Sequence, residues 1–308
     1  MHAADSALPQ NIPDDMIKIP GGTFLMGSNR FYPEERPVHQ ATVSTFLLDK
    51  TAVTNELFAR FVQETGYVTT AEQRLNPDHF NGAPLTTLEP GSLVFTPTSG
   101  PVNLNDWRQW WRWVHGADWK HPFGPKSSIE GKEQHPVVQV SFADARAYAQ
   151  WAGKRLPTET EWEFAARGGL EGQTYAWGDT PQSPEYLLAN TWQGKFPYQN
   201  RSANGWVGSS PVSSFRSNGY GLFDMIGNVW EWTSTPWSSS HRTGDETPTQ
   251  CSCSPRMART PRPRVIKGGS HLCSPEYCFR YRPSARSEQT EDSATTHIGF
   301  RCARSLAF

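Results

Sequence analysis

The chain has 308 residues, with 29 Lys and Arg against 30 Asp and Glu and a formal net charge of −1 at pH 7. So neutral a balance excludes a general electrostatic grip on nucleic acid or on an anionic membrane, and no apolar run approaches the roughly 20 residues that cross a bilayer. Gly and Pro number 25 each, beside 13 Trp, 16 Phe and 9 Tyr, a composition that predicts large flat side chains held between loops rather than long regular layers. Folds of that kind are often fastened by disulfides or metals. The five cysteines are odd in number, and the N-terminus lacks a basic start followed by an apolar segment. Both features point to a cytoplasmic protein without a disulfide framework, which leaves bound cations as the fastening.

Residues 1–15 are polar and read as a loose tail, and 16–308 read as one domain without repeats or a linker. "MIKIPGGTFLMGS" (16–28) predicts two short strands around a Gly-Gly turn. "QATVSTFLLDKTAVT" (40–54) predicts a strand leading into a helix over 55–65. Thr54 would be its N-cap, Gly66 its end, and Leu57, Phe58, Phe61 and Val62 its apolar face. Residues 68–135 read as an irregular insertion carrying Trp107, Trp110, Trp111, Trp113 and Trp119. A strand over 137–140 should run into a second helix, 142–152, capped by Ser141. Thr158 and Glu161 form a capping box for a third helix, closed by Gly168 and Gly169. Beyond 170 the chain reads as turns and short strands, with 236–263 a surface loop.

Three groups of residues carry candidate chemistry. Cys273 and Cys278 stand five apart in "GGSHLCSPEYCFRYR". A straight strand would put them on opposite faces, and a helix would set them about 140° apart. A turn at Ser274-Pro275-Glu276, with Pro275 at its second position, lets the sulfurs meet. By spacing alone such a pair reads more readily as structural thiols. As a metal site it suits Cu(I), a soft ion satisfied by few sulfur ligands, better than zinc with its four. Cys251 and Cys253 lie in the proline-rich loop, where they could relay disulfide exchange or hand over metal. Cys302 reads as a buried thiol in an apolar strand.

The second group is "SNGYGLFDMIGNVWEWT" (217–233). There Asp224 and Glu231 flank the turn formers Gly227 and Asn228, a mix of carboxylates and irregular backbone that Ca2+ accepts. By spacing alone they read more readily as two ordinary surface carboxylates. The third, "ANTWQGKFPYQNRSANGW" (189–206), offers Asn190 and Asn204 as weaker oxygen donors. Trp230, between these loops, reads as core or as the wall of a substrate cleft.

Taken together, "IPGGTFLMGS", "GKRLPTETEWEFAARGG", "GNVWEW", "KGGSHLCSPEYCFRYRPSARS" and "HIGFRCAR" closely resemble the formylglycine-generating enzymes, or sulfatase-modifying factors, in motif order from about residue 16 to 305. The Trp-bearing insertion resembles an actinobacterial branch. The resemblance implies an irregular α+β domain, related to C-type-lectin-like folds and stabilised by Ca2+. It implies aerobic oxidation of a cysteine in a Cys-x-Pro-x-Arg segment of a partner sulfatase to formylglycine, with Cu(I) held by Cys273 and Cys278 and an external thiol as reductant. Ser270, Trp230 and Tyr277 match positions lining the family's pocket.

The calcium candidates map in the same way. Asp224 and Glu231 would act with carbonyls of Gly227 and Val229, and Asn190 and Asn204 with carbonyls of Thr191 and Trp206. Three departures stand out. Asn204 replaces a commoner Asp, which weakens the second calcium site. Ser274 stands where many members carry His. Ala166 occupies the position that would pair with Cys302 in secreted relatives. Two rival readings are an ergothioneine-type sulfoxide synthase, whose added helical domain and metal-binding histidines are missing here, and a non-catalytic calcium-stabilised lectin-like module.

Overall fold

Local signals decide the helices. A computed structural model describes residues 12–74, 89–182, 185, 187–202, 205–241 and 262–306, and within them α1 (Asn55–Thr65), α2 (Phe142–Trp151) and α3 (Glu159–Arg167) begin and end close to where the sequence places them. Thr54 Oγ1 accepts from the Leu57 N–H, and Gly66 closes α1 in the left-handed conformation that glycine adopts without strain. Ser141 with Asp144, and Thr158 with Glu161, form reciprocal capping boxes at α2 and α3. Phe58 and Phe61 are buried as expected, whereas Leu57 stays exposed. Phe58 stacks on Tyr148 of α2, and both meet Phe300 edge-on.

The strands depart further from expectation because their partners are remote in sequence. β1 (Met16–Ile19) and β2 (Gly22–Met26) do flank Gly21, but they do not pair with each other. The stretch read as one strand at 40–54 is two, β3 (His39–Val43) and β4 (Phe46–Asp49), with β3 antiparallel to β2. β4 is the centre of a sheet in the order β1-β4-β11, where β11 is Ala303–Ser305. The insertion is not wholly irregular: β5 (Gly91–Phe95) and β6 (Trp111–His115) form an antiparallel ribbon. A four-stranded sheet runs β10-β7-β8-β9, from β7 (Trp230–Pro236), β8 (Pro263–Lys267), β9 (Arg286–Thr290) and the parallel β10 (Ile298–Gly299).

Two readings are corrected. Residues 137–140 form no strand: Gln139 turns the chain through a positive φ of 59°, so the buried valines 137, 138 and 140 pack without a ladder. Cys302 lies between β10 and β11 rather than within a strand, although it is the buried free thiol expected. Residues 242–261, with Cys251 and Cys253, lie outside the described residues.

α3 packs on both β-systems and carries an unusual cargo. Besides Trp162, Ala165 and Ala166 it buries Glu159, Glu163 and Arg167. Glu163 accepts from Lys267 Nζ at 3.0 Å, from Arg167 Nη2 at 2.7 Å and from the Gly27 N–H at 2.8 Å. Burial alone would raise its pKa, but the charges of Lys267 and Arg167 and the Gly27 N–H outweigh it and hold the group at about 2. Arg282 pairs bidentately with Glu35, and Arg301 with Glu231, all four fully buried. These ion pairs tie the C-terminal third of the chain to its first 50 residues and to β7.

Candidate active site

β8 ends at Lys267, and the next two residues bend the chain back. Gly268 and Gly269 have φ of 97° and 69°. A Cβ on Gly269 would lie 2.9 Å from the Tyr281 N–H nitrogen and 3.0 Å from the Arg280 carbonyl, so only glycine lets the strand end fold against its own returning arm. Two successive turns follow. The Ser270 carbonyl accepts from the Cys273 N–H at 2.9 Å, and the Ser274 carbonyl from the N–H groups of Tyr277 and Cys278 at 3.3 and 2.9 Å. Pro275 thus takes the second position of the turn, as its fixed φ favours.

The turns bring the thiols together. Both are free, and Cys273 is buried while Cys278 is half-buried. Cys273 donates its S–H toward Cys278. That bond, assisted by the Arg280 charge and its donors against the effect of burial, lowers the Cys278 pKa. Burial, followed by the bond to Cys278, pushes the Cys273 thiol well up. The two sulfurs are hydrogen-bonded to each other, and Cys278 is the more acidic of the two. Arg280 is itself held: its Nη2 donates to Glu34 at 2.6 Å, and its guanidinium lies 3.9 Å from the centre of the Tyr32 ring.

Both sulfurs line a cavity of about 210 Å3, and so do Ser270, Trp230 and Tyr277. The five residues singled out from sequence therefore meet in one place. The structure adds residues that no local pattern marked. Trp110, Trp111 and Phe196 form the aromatic wall, with Tyr277 stacked on Phe196 at 4.4 Å and nearly parallel. His297 joins the lining, packed against Trp111 with its Nδ1 2.8 Å from Thr295 Oγ1. Burial and its neighbour His271 pull the His297 pKa down to about 3, so it is a neutral imidazole at physiological pH. Burial likewise holds His271 at about 4 while its Nδ1–H donates to the Asn228 carbonyl. A larger cavity of about 460 Å3 lies elsewhere, beside Trp177, Phe215 and Asp224, and holds no thiol or imidazole. The smaller one has the reactive groups.

Asn228, read only as a turn former, staples this region. Its Oδ1 accepts from the Ser210 N–H at 2.9 Å, its Nδ2 donates to the Ser210 carbonyl, and its N–H donates to the Asn190 carbonyl. Asn190 Nδ2 donates to Gly208. Gly227 sits against the same carbonyl, since a Cβ there would come within 2.6 Å of Asn190 O. The two loops considered for calcium are thus packed on each other.

Within them, burial, aided by repulsion from Glu231, outweighs the Ser213 N–H and the Arg301 charge and raises the Asp224 pKa to about 6. Glu231 is different: its oxygens already accept from Arg301 and from Trp162 Nε1. The Thr191 carbonyl accepts from Gln193 Nε2. Val229 is buried beside Ala52 and Val138, Trp206 lies near Phe215, and Asn204 falls outside the described residues. The donor set therefore fits calcium in part, through Asp224.

The thiol pair fits a soft monovalent ion better than it fits zinc or iron. Among the described residues no three His, Cys, Asp or Glu side chains converge as a metal cage, whereas two thiolates suffice for Cu(I). Among those residues no helix is long and apolar enough to cross a membrane.

A family model described as the sulfatase-modifying factor enzyme 1-like domain matches residues 3–306. The chain is 58% identical over 291 residues to the formylglycine-generating enzyme of Mycobacterium tuberculosis (strain ATCC 25618 / H37Rv), a match covering 94% of this chain and 97% of the relative. It is also 39% identical over 302 residues to the inactive C-alpha-formylglycine-generating enzyme 2 of Bos taurus, covering 94% of this chain and 87% of that one. Among solved structures, PvdO from Pseudomonas aeruginosa superposes with a TM-score of 0.62 at 23% identity over 94% of each chain.

Proposed function

The chain belongs to the sulfatase-modifying factor family, as an enzyme that converts a sulfatase cysteine to Cα-formylglycine, and we propose that it does so with dioxygen as oxidant and a Cu(I) ion held between Cys273 and Cys278. The observation that carries this reading is the free thiol pair at the wall of a cavity that also holds Ser270, Trp230 and Tyr277. A formylglycine-generating enzyme and an inactive relative, both of Bos taurus, are 40% and 39% identical to this chain, so overall identity does not by itself carry the activity.

The substrate we propose is an unfolded Cys-x-Pro-x-Arg segment. Oxidation removes two hydrogens from the cysteine to give a thioaldehyde, and water then replaces sulfur, releasing hydrogen sulfide and leaving the aldehyde. Dioxygen becomes two waters, so two further electrons come from an external thiol, which ends as a disulfide. Bound between the sulfurs, Cu(I) would supply the one-electron exchange with dioxygen that thiols alone do not provide.

The chain's own residues do the rest. Cys278, the more acidic sulfur, is the readier to ionise, and a bound cation would displace the proton of Cys273 as well. Arg280, fixed by Glu34 and Tyr32, keeps positive charge beside Cys278. Trp110, Trp111, Trp230, Phe196 and Tyr277 displace water from around the reacting carbon. Burial pushes the Tyr277 hydroxyl up to about 12, so with neutral His297 it can hydrogen-bond without adding charge. Ser270 Oγ accepts from the Leu272 N–H, which keeps the first turn closed around Cys273.

We further propose a structural calcium at Asp224, with carbonyls of Gly227 and Val229 and a share of Glu231, and a second, weaker one among Asn190, Thr191, Asn204 and Trp206. A cytoplasmic location is supported by free Cys302, which has Ala166 in its core cluster and no disulfide partner. The test is to incubate the protein, Cu(I) and dioxygen with a Cys-x-Pro-x-Arg peptide and a thiol reductant. Mass spectrometry should record an aldehyde-bearing product that disappears when copper is chelated. An unchanged peptide under copper-loaded conditions overturns the proposal.

A further inference from the structure

The wall of the cavity formed by the sheet carries two polar side chains with nothing to hold. Ser287 and Gln289 stand two apart on β9, hence on one face of the strand, and both line the cavity. Register sets Ser287 beside Ile266 of β8, another lining residue. β9 is the edge of its sheet in the order β10-β7-β8-β9.

Several other polar groups around the thiols have partners: Arg280 holds Glu34, Ser270 Oγ meets the Leu272 N–H, and His297 Nδ1 meets Thr295, whereas Trp110 Nε1 is buried without one. Ser287 and Gln289 are half-buried, yet among the described residues neither side chain makes a hydrogen bond. A half-buried carboxamide at a cavity wall is open to water, and its carbonyl and NH2 stay available to whatever displaces that water. The two are the complement of a peptide group, which presents one N–H and one C=O.

We propose that Gln289, assisted by Ser287, hydrogen-bonds the backbone of the substrate peptide beside the target cysteine and so sets how far that cysteine reaches toward the thiols. The inference rests on the reading of this cavity as the catalytic site. Every polypeptide carries these backbone groups, so the clamp fixes depth and register and leaves side-chain selection to other surfaces.

The experiment uses the metal-free full chain and a labelled peptide carrying Ser in place of the target Cys, followed by fluorescence anisotropy, alongside steady-state conversion of the Cys peptide by copper-loaded enzyme. Gln289→Leu should weaken peptide binding and raise KM by about tenfold, the worth of one buried hydrogen bond, with kcat within about twofold. Ser287→Ala should raise KM by about threefold. Copper uptake by metal-free Gln289→Leu should match the unsubstituted chain, as expected if the thiol turn is intact. Binding and KM within twofold of the unsubstituted protein overturn the clamp while leaving the catalytic reading in place. A fall in kcat at unchanged KM, or lost copper uptake, also overturns it, because Gln289 would then act through the fold. If the unsubstituted protein neither binds the Ser peptide nor converts the Cys peptide, the catalytic reading fails and takes the clamp with it.

Discussion

Two buried polar regions of this molecule are built on opposite rules. Around α3 and β8, Glu163, Lys267 and Arg167 neutralise one another at 2.7 to 3.0 Å, as Glu35 does Arg282 and Glu231 does Arg301. Around the thiols, the cavity-lining side chains of Ser287 and Gln289 make no hydrogen bond among the described residues. The first region spends its hydrogen bonds on itself and fixes the backbone. The second withholds them, and what enters the cavity completes the set. Burial alone thus does not separate structure from chemistry here, whereas charge pairing does.

Breaking one thiol tests the contrast most severely. Cys273→Ala should lower peptide conversion by at least about a thousandfold, read by mass spectrometry, and cost only about 1 kcal/mol of stability in urea denaturation. In the ionic region the effect should invert. Arg301→Ala leaves Glu231 buried without its cation and should cost about 3–5 kcal/mol, measured in the same denaturation series. Unchanged stability would erase the distinction between the regions.

Acid sharpens it further. Glu163 is held at about 2 in the folded protein against 4.5 as its ordinary value. The folded pKa is the depressed one, so its contribution is complete above about pH 4.5 and drains away as pH falls toward 2. Stability followed from pH 5 to 2.5 should fall less steeply in Glu163→Gln than in the unsubstituted chain. Calcium gives a smaller effect: saturating ion should raise the melting temperature of the metal-free protein by a few degrees, and Asp224→Asn should remove the increase. Smallest is Thr158→Ala, which deletes the α3 cap and should cost about 1 kcal/mol.

The helices were legible because caps act within four residues: Thr54, Ser141 and Thr158 each announce a start that no distant contact has to confirm. The thiol turn was legible for the same reason, with Pro275 between two cysteines. Strand pairing was not. β1 finds β4 and β11 rather than β2, and nothing within its four residues encodes that choice. The run 137–140 has the apolar content of a strand, but it is buried without a ladder because Gln139 reverses the backbone. In the site, Trp110, Phe196, Gln289 and His297 come from four separate stretches and converge only in space. The sole early hint was the density of tryptophan between 107 and 119. Glu231 shows a further limit: its spacing from Asp224 suggests a cation ligand, and nothing local announces that Arg301, 70 residues on, also pairs with it.

The grip of Glu34 and Glu35 on Arg280 and Arg282 reaches across more than 240 positions. It sets an order of events at birth. A growing chain exposes residues 31–36 early and must keep them waiting until nearly the whole polypeptide has left the ribosome, when the cysteine-bearing arm finally arrives to be clasped. The setting of the two thiols is thereby completed late, by contacts that only the nearly finished chain can make.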